Sequence, residues 1–128
     1  MAVQLPVQRP VASGWGLADF RTIQQRTAAA GGGSAQLELA QVPSDELWFI
    51  DHAVVACTSS TSTSLRLYAG SVSDLALLDG SLSGNFDVAD WPNGLLLEAT
   101  RSLIARWDGA SDGAIGTLTL QLRVMRRA

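Results

Sequence analysis

The chain has no lysine: all nine of its cationic side chains are arginines, set against twelve carboxylates for a net charge of −3. No domain-wide basic field exists to hold a polyanion, so nucleic acid is not an expected partner. There is one cysteine, Cys57, so no intrachain disulfide can form. Cys57 closes an apolar stretch and reads first as a buried structural thiol, with a catalytic thiol as the alternative. There is also one histidine, His52, and a lone Cys with a lone His falls short of the four ligands of a structural zinc site. No metal and no cofactor are therefore expected. No apolar run approaches the roughly 20 residues of a membrane span, so no membrane partner is expected. The opening M-A-V-Q-L-P-V-Q-R-P has neither the charged first region nor the continuous apolar centre of a secretory signal.

What is present is 47% hydrophobic and only 16% charged, in 128 residues. That length makes one domain the natural count, and abundant Gly, Ser, Thr and Ala suit many short strands and turns better than helices. The most apolar stretch runs from Glu46 to Ala56 and into Cys57, E-L-W-F-I-D-H-A-V-V-A-C. Strands alternate sides with period 2. One side would carry Trp48, Ile50, His52, Val54 and Ala56, the other Leu47, Phe49, Asp51, Ala53, Val55 and Cys57. Both are mostly apolar, which predicts a central strand covered on both faces.

Around it the chain divides as follows. Residues 1–16, with Pro6, Pro10, Gly14 and Gly16 among Val3, Leu5, Val7 and Val11, read as an extended N-terminal arm that packs on its own domain or reaches a neighbour. Residues 17–128 form the folded domain. Within it, 17–30 fits a helix face or an edge strand; Gly31-Gly32-Gly33-Ser34 favours a turn, with 17–30 and 35–42 as a hairpin. Strands are expected at Ser64 to Ala69, with Tyr68 outward, and at Asn85 to Val88. Further strands are expected at Leu95 to Ala99 and Ser102 to Trp107, joined tightly through Thr100-Arg101, and at Thr117 to Met125. In the last, Leu118, Leu120, Leu122 and Val124 face in, and Arg126-Arg127 follow as a solvated tail. Gly70 to Gly84 reads as a long connection, 58–64 as a hydroxyl-rich loop, 108–116 as a glycine-rich loop and Asp90-Trp91-Pro92-Asn93-Gly94 as a turn. About eight short antiparallel strands predict an all-β sandwich of jelly-roll type.

No catalytic set emerges. A triad would need His52 beside a nucleophile and a carboxylate, and on a regular strand Asp51 points the other way. Asp79, Asn85, Asp87 and Asp90 could offer oxygen ligands to calcium, but they are equally common turn formers. No enzyme activity is expected. Of Trp15, Trp48, Trp91 and Trp107, the second and fourth belong in the core, and Trp91 is the expected exposed contact residue.

The runs V-P-S-D-E-L-W-F-I-D-H-A-V-V (42–55), S-L-R-L-Y-A-G (64–70), L-D-G-S-L-S-G-N-F-D-V-A-D (78–90) and W-D-G-A-S-D-G-A-I-G-T-L-T-L-Q-L-R-V (107–124) occur in this order. Together they resemble small β-sandwich structural proteins of tailed bacteriophages, especially those of actinobacteria, over roughly residues 20–127. The resemblance implies a virion part made in the bacterial host cytoplasm: a capsid decoration (cement) protein on the outer surface of the major capsid protein shell, a trimer by preference. The alternative it implies is a tail or neck appendage, or a fibre or spike module binding a receptor or carbohydrate. Expected partner-binding residues are Val3, Leu5, Val7, Arg9, Val11 and Trp15 on the arm, with Trp91 on the domain.

Overall fold

A computed structural model of the chain describes residues 14–127. Eight strands follow in order: β1 (Trp15–Arg26), β2 (Ser34–Glu38), β3 (Glu46–Cys57), β4 (Ser64–Ala69), β5 (Leu77–Ser81), β6 (Phe86–Leu97), β7 (Leu103–Asp108) and β8 (Gly116–Arg127). They make two four-stranded sheets, ordered β1-β8-β3-β6 and β2-β7-β4-β5. Every pairing is antiparallel. β1 pairs with β8, β2 with β7, β3 with β6 and β4 with β5. This is one long hairpin doubled on itself and rolled across two sheets, which is the jelly roll.

The core lies between the sheets. β8 supplies Leu118, Leu120, Leu122 and Val124, all buried as their alternation predicts. β7 contributes Leu103, Ala105 and Trp107, and Trp107 donates its indole N–H to the Gly84 carbonyl at 2.8 Å. Trp48 and Trp107 are core residues and Cys57 is buried, as expected. Each large apolar side chain so buried is worth about 1.5–3 kcal/mol.

β3 is an inner strand between β8 and β6, but it is covered on one side only. Its register shifts between Ile50 and His52 against both neighbours. A β-bulge inserts one extra residue and so reverses the alternation. Glu46, Trp48 and Ile50 face the core before it, and Ala53, Val55 and Cys57 after it. The two-face assignment made from strict alternation is corrected accordingly. Asp51 and His52 both lie outside, along with Leu47, Phe49, Val54 and Ala56.

Other expectations are also corrected. β1 and β2 form no hairpin. They lie in different sheets, and their connection crosses the end of the sandwich, with Ala30 buried and bonded to Ala114. β6 and β7 likewise change sheets rather than reversing in plane; Thr100, at φ 65°, makes the corner and bonds back to Val42. The expected turn at 90–94 is inside β6. Asp90 pairs with His52 and Leu95 with Ile50, so residues 91–94 bulge out opposite the bulge in β3, and Gly94 takes φ +80°. The long connection 70–84 contains edge strand β5, which pairs with β4 although its own residues are mostly exposed. Tyr68 is buried beside its partner Ile104, outside the main core cluster. Arg126 and Arg127 are no free tail: both belong to β8, opposite Gly16 and Trp15.

β1 starts at Trp15, inside the stretch read as arm, and residues 1–13 lie outside the described residues.

Candidate interaction face

The outer face of the β1-β8-β3-β6 sheet is open and carries exposed or half-buried apolar side chains on every strand but the polar β8 centre. Residues opposite one another in an antiparallel pair share a face, so the registers give its rows directly. Phe20, Arg123, Phe49 and Leu96 form one row across all four strands. Below it runs a polar row of Thr22, Gln121, His52 and Asp90. Two further rows follow: Gln24, Thr119, Val54 and Val88, then Arg26, Thr117, Ala56 and Phe86. Leu17, Met125 and Leu47 lie above the first. Phe20 is 71% exposed, Phe86 66% and Leu17 54%, with Val88 and Leu96 above 40%. Single exposed apolar side chains are ordinary; two apolar groups on one sheet face, parted by a single polar row, mark an interaction surface.

Strand spacing sets its extent. Four strands at about 4.8 Å and eleven residues at about 3.3 Å give a footprint on the order of 700 Å². That approaches the roughly 800 Å² per partner of a standard protein interface.

The half-buried charge of this face, Arg123, is paired within it. The Arg123 guanidinium donates to both carboxylate oxygens of Asp51, at 2.8 and 2.9 Å, and lies 5.4 Å over the Phe49 ring. The Asp51 carboxylate beside Arg123 holds its guanidinium pKa above the usual value by hydrogen bonding. His52 Nδ1 lies 2.7 Å from Asp90 Oδ1. A partner covering Asp51 and Arg123 meets a paired ion rather than two bare ones, which lowers the desolvation penalty there.

Of the residues expected to bind, Trp15 is brought to this face. It sits opposite Arg127, whose guanidinium stacks 4.7 Å over the ring, and leads to Leu17. Trp91 is elsewhere and is not the fully exposed turn residue expected. It is half-buried against the core, with its indole N–H donating to Asp79 Oδ2 at 3.0 Å. It helps line a cavity of about 60 Å³ between the sheet edges, over Ala53, Val55, Leu65 and Leu67. Val3, Leu5, Val7, Arg9 and Val11 lie outside the described residues.

Sequence reading missed Phe20, Phe49, Val54, Phe86, Val88 and Leu96 as a surface. The signal was there: both apolar sides of Glu46–Cys57 were assigned to burial, whereas Leu47 and Phe49 of one side and Val54 and Ala56 of the other belong to the open face.

The remaining candidates are dispersed. Asp79 accepts from Trp91, Asp87 from the Ser81 hydroxyl at 2.5 Å, Asn85 from Thr63, and Asp90 faces His52. The Ser81 hydroxyl and the Val88 N–H hold the Asp87 carboxyl below its ordinary pKa. Among the described residues no three His, Cys, Asp or Glu side chains converge as a metal site. The hydroxyl-rich and glycine-rich loops do meet at one end of the sandwich. There Thr61 donates to the Gly109 carbonyl at 2.7 Å, and the Ser111 N–H to Ser59 at 2.9 Å.

Fold and face together define a class: an eight-stranded antiparallel jelly roll with one apolar sheet surface left open. No family model matches the chain, and neither does any curated protein sequence. Among solved structures, it is similar to a chain of the virus-like particle of the giant freshwater prawn (Macrobrachium rosenbergii) extra small virus. The TM-score is 0.42 at 13% identity, covering 95% of this chain and 86% of that one. It is also similar, at TM-score 0.30 and 11% identity, to the dimeric latent PorU of Porphyromonas gingivalis, of which it spans 15%. At these values neither likeness carries a functional argument.

Proposed function

We propose that the protein is a structural part of a tailed-phage virion that binds the outer surface of the major capsid protein shell and stabilises the capsid. The observation that carries this is the open face of the β1-β8-β3-β6 sheet, with its exposed aromatic and aliphatic side chains and with Arg123 paired to Asp51. The fold is consistent with the reading but does not establish it, because jelly rolls serve many functions. In this reading the protein has no chemistry of its own. The outer face, with Trp15 at one end, lies against the shell.

The carbohydrate-binding alternative draws on exposed aromatics and the loops 58–64, 85–94 and 108–116. The Trp91 indole is half-buried with its N–H engaged by Asp79, so Trp91 offers no open stacking platform to it.

The test is co-sedimentation with capsids that lack the protein. The triple variant Phe20→Ser, Phe86→Ser, Leu96→Ser should lose attachment by at least about tenfold, since buried interface aromatics carry most of a binding energy. It should keep its melting temperature, because these side chains are exposed in the free protein. Unchanged attachment of that variant would refute the docking face.

A further inference from the structure

The two sheets have four edges, and they are unequally protected. β2 and β5 are five residues each. β6 carries Pro92 and the bulged residues 91–94. Short length, proline and bulges are the devices that keep a sheet edge from pairing with another chain. β1 has fewer of them. It is twelve residues long, and from Asp19 to Arg26 it pairs with β8 residue for residue, without a bulge. That stretch, D-F-R-T-I-Q-Q-R, has no proline and no lysine, and Phe20, Thr22 and Ile23 favour strands. Most of its residues are exposed, and among the described residues no strand lies on its outer side.

We propose that this edge pairs antiparallel with the same edge of a second copy of the chain, about a two-fold axis at Thr22–Ile23. Charge decides the direction. A parallel pairing in register would set Asp19 against Asp19, Arg21 against Arg21 and Arg26 against Arg26. The antiparallel pairing brings the acidic start of one stretch beside the basic end of the other, Asp19 next to Arg26 of the second copy. Face matching decides the register. Opposed residues must share a face, so with regular alternation the axis falls on a residue and not between two. An axis on Thr22 sets Phe20 opposite Gln24 and Asp19 opposite Gln25. An axis on Ile23 sets Phe20 opposite Arg26 and Arg21 opposite Gln25. Neither opposes like charges.

The result is a continuous eight-stranded sheet, β6-β3-β8-β1 joined to β1-β8-β3-β6 of the second copy. Both apolar outer faces then lie on the same side, as one platform of about twice the area. A two-fold contact uses each edge once and closes at two copies. A trimer built by edge pairing would need a head-to-tail contact between different edges, and the other three are the guarded ones. The pairing does not depend on what the platform binds, so its test is separate from that of capsid attachment.

Introduced thiols test it in the full chain. Cys57 is buried, so a new surface cysteine is the accessible one. Opposed residues across the axis lie about 4.5–5.5 Å apart at Cα, within the reach of a disulfide. Under mild oxidation Thr22→Cys or Ile23→Cys should yield a covalent dimer, while Gln36→Cys on the exposed edge strand β2 should not. Light scattering should give two chains per particle. Asp19→Arg should raise the dimer dissociation constant on the order of tenfold by opposing two basic ends, and adding Arg26→Asp should restore it. A monomer that crosslinks at neither position overturns the proposal. So does a dimer that appears only after residues 2–13 are deleted, since the chain's own N-terminal segment would then be the occupant. A dimer that crosslinks through Val88→Cys alone overturns it too, because the contact would be face to face.

Discussion

Glu46 is buried yet charged, and its partners account for it. One oxygen accepts from Trp48 Nε1 at 3.0 Å, the other from Arg126 at 2.8 Å, with Arg21 3.7 Å away. The Arg126 hydrogen bond, above all, holds its pKa below the ordinary carboxylate value, with burial opposing. A depressed folded value means that unfolding takes up a proton in acid. The stabilisation is therefore complete above the unfolded value of about 4.3 and is lost as the pH falls through the folded one. Glu46→Gln should lower stability at pH 7 by about 1–3 kcal/mol and remove this part of the acid dependence, as urea melts between pH 7 and 2 would read. Arg123–Asp51 is better aligned, but both side chains are about a third exposed, so it is worth under about 1 kcal/mol. Its role is to keep a charged pair neutral on an apolar face. Thr100 is β-branched at φ 65°. Thr100→Asn keeps the backbone bond to Val42 and should raise stability by about 1 kcal/mol in thermal melts. Gly116 shows the opposite constraint. An added Cβ there would lie 2.6 Å from Trp107 Cε3, so Gly116→Ala should cost about 1–3 kcal/mol.

At the level of the strands, the informative case is β3. Its existence, bounds and inner position were legible because its apolar run is long and rich in β-branched and aromatic residues. β8 was legible for a plainer reason: its alternation is unbroken. The bulge at Asp51–His52 was not legible, because alternation carries no mark where a residue is added, although two adjacent polar residues inside an apolar strand sit where it falls. Deleting Asp51 should therefore be tolerated, because it removes the extra residue and leaves Ile50 and Ala53 both facing in on strict alternation. Deleting Val54 instead forces Val55 and Cys57 to turn outward, and that protein should fail to fold. Circular dichroism of the two deletion variants separates the cases. β5 and the 91–94 bulge were missed because Gly80, Asp79, Pro92 and Gly94 are turn formers locally. Pairing to β4 and to β3 overrides that preference.

For the molecule as a whole, eight strands and two layers followed from composition and turn spacing. The pairing did not, because nearest neighbours in sequence make the obvious hairpins and a jelly roll pairs its first strand with its last. The same long-range pairing explains how the candidate site escaped sequence reading. Phe20, Phe49, Phe86 and Leu96 come from three strands far apart in sequence, and only the registers of β1, β8, β3 and β6 bring them to one surface. The expected contact residue Trp91 was chosen from a local turn signal and lies instead between the sheet edges. The central claim is that the open face of this sheet lies against a capsid shell. The most direct measurement is cryo-electron microscopy of particles lacking the protein, after purified protein has been added back. The prediction is regular density over the shell, with the β1-β8-β3-β6 face toward the major capsid protein and the β2-β7-β4-β5 sheet toward solvent. Density confined to the tail or neck, or on the shell with the apolar face pointing outward, would contradict it.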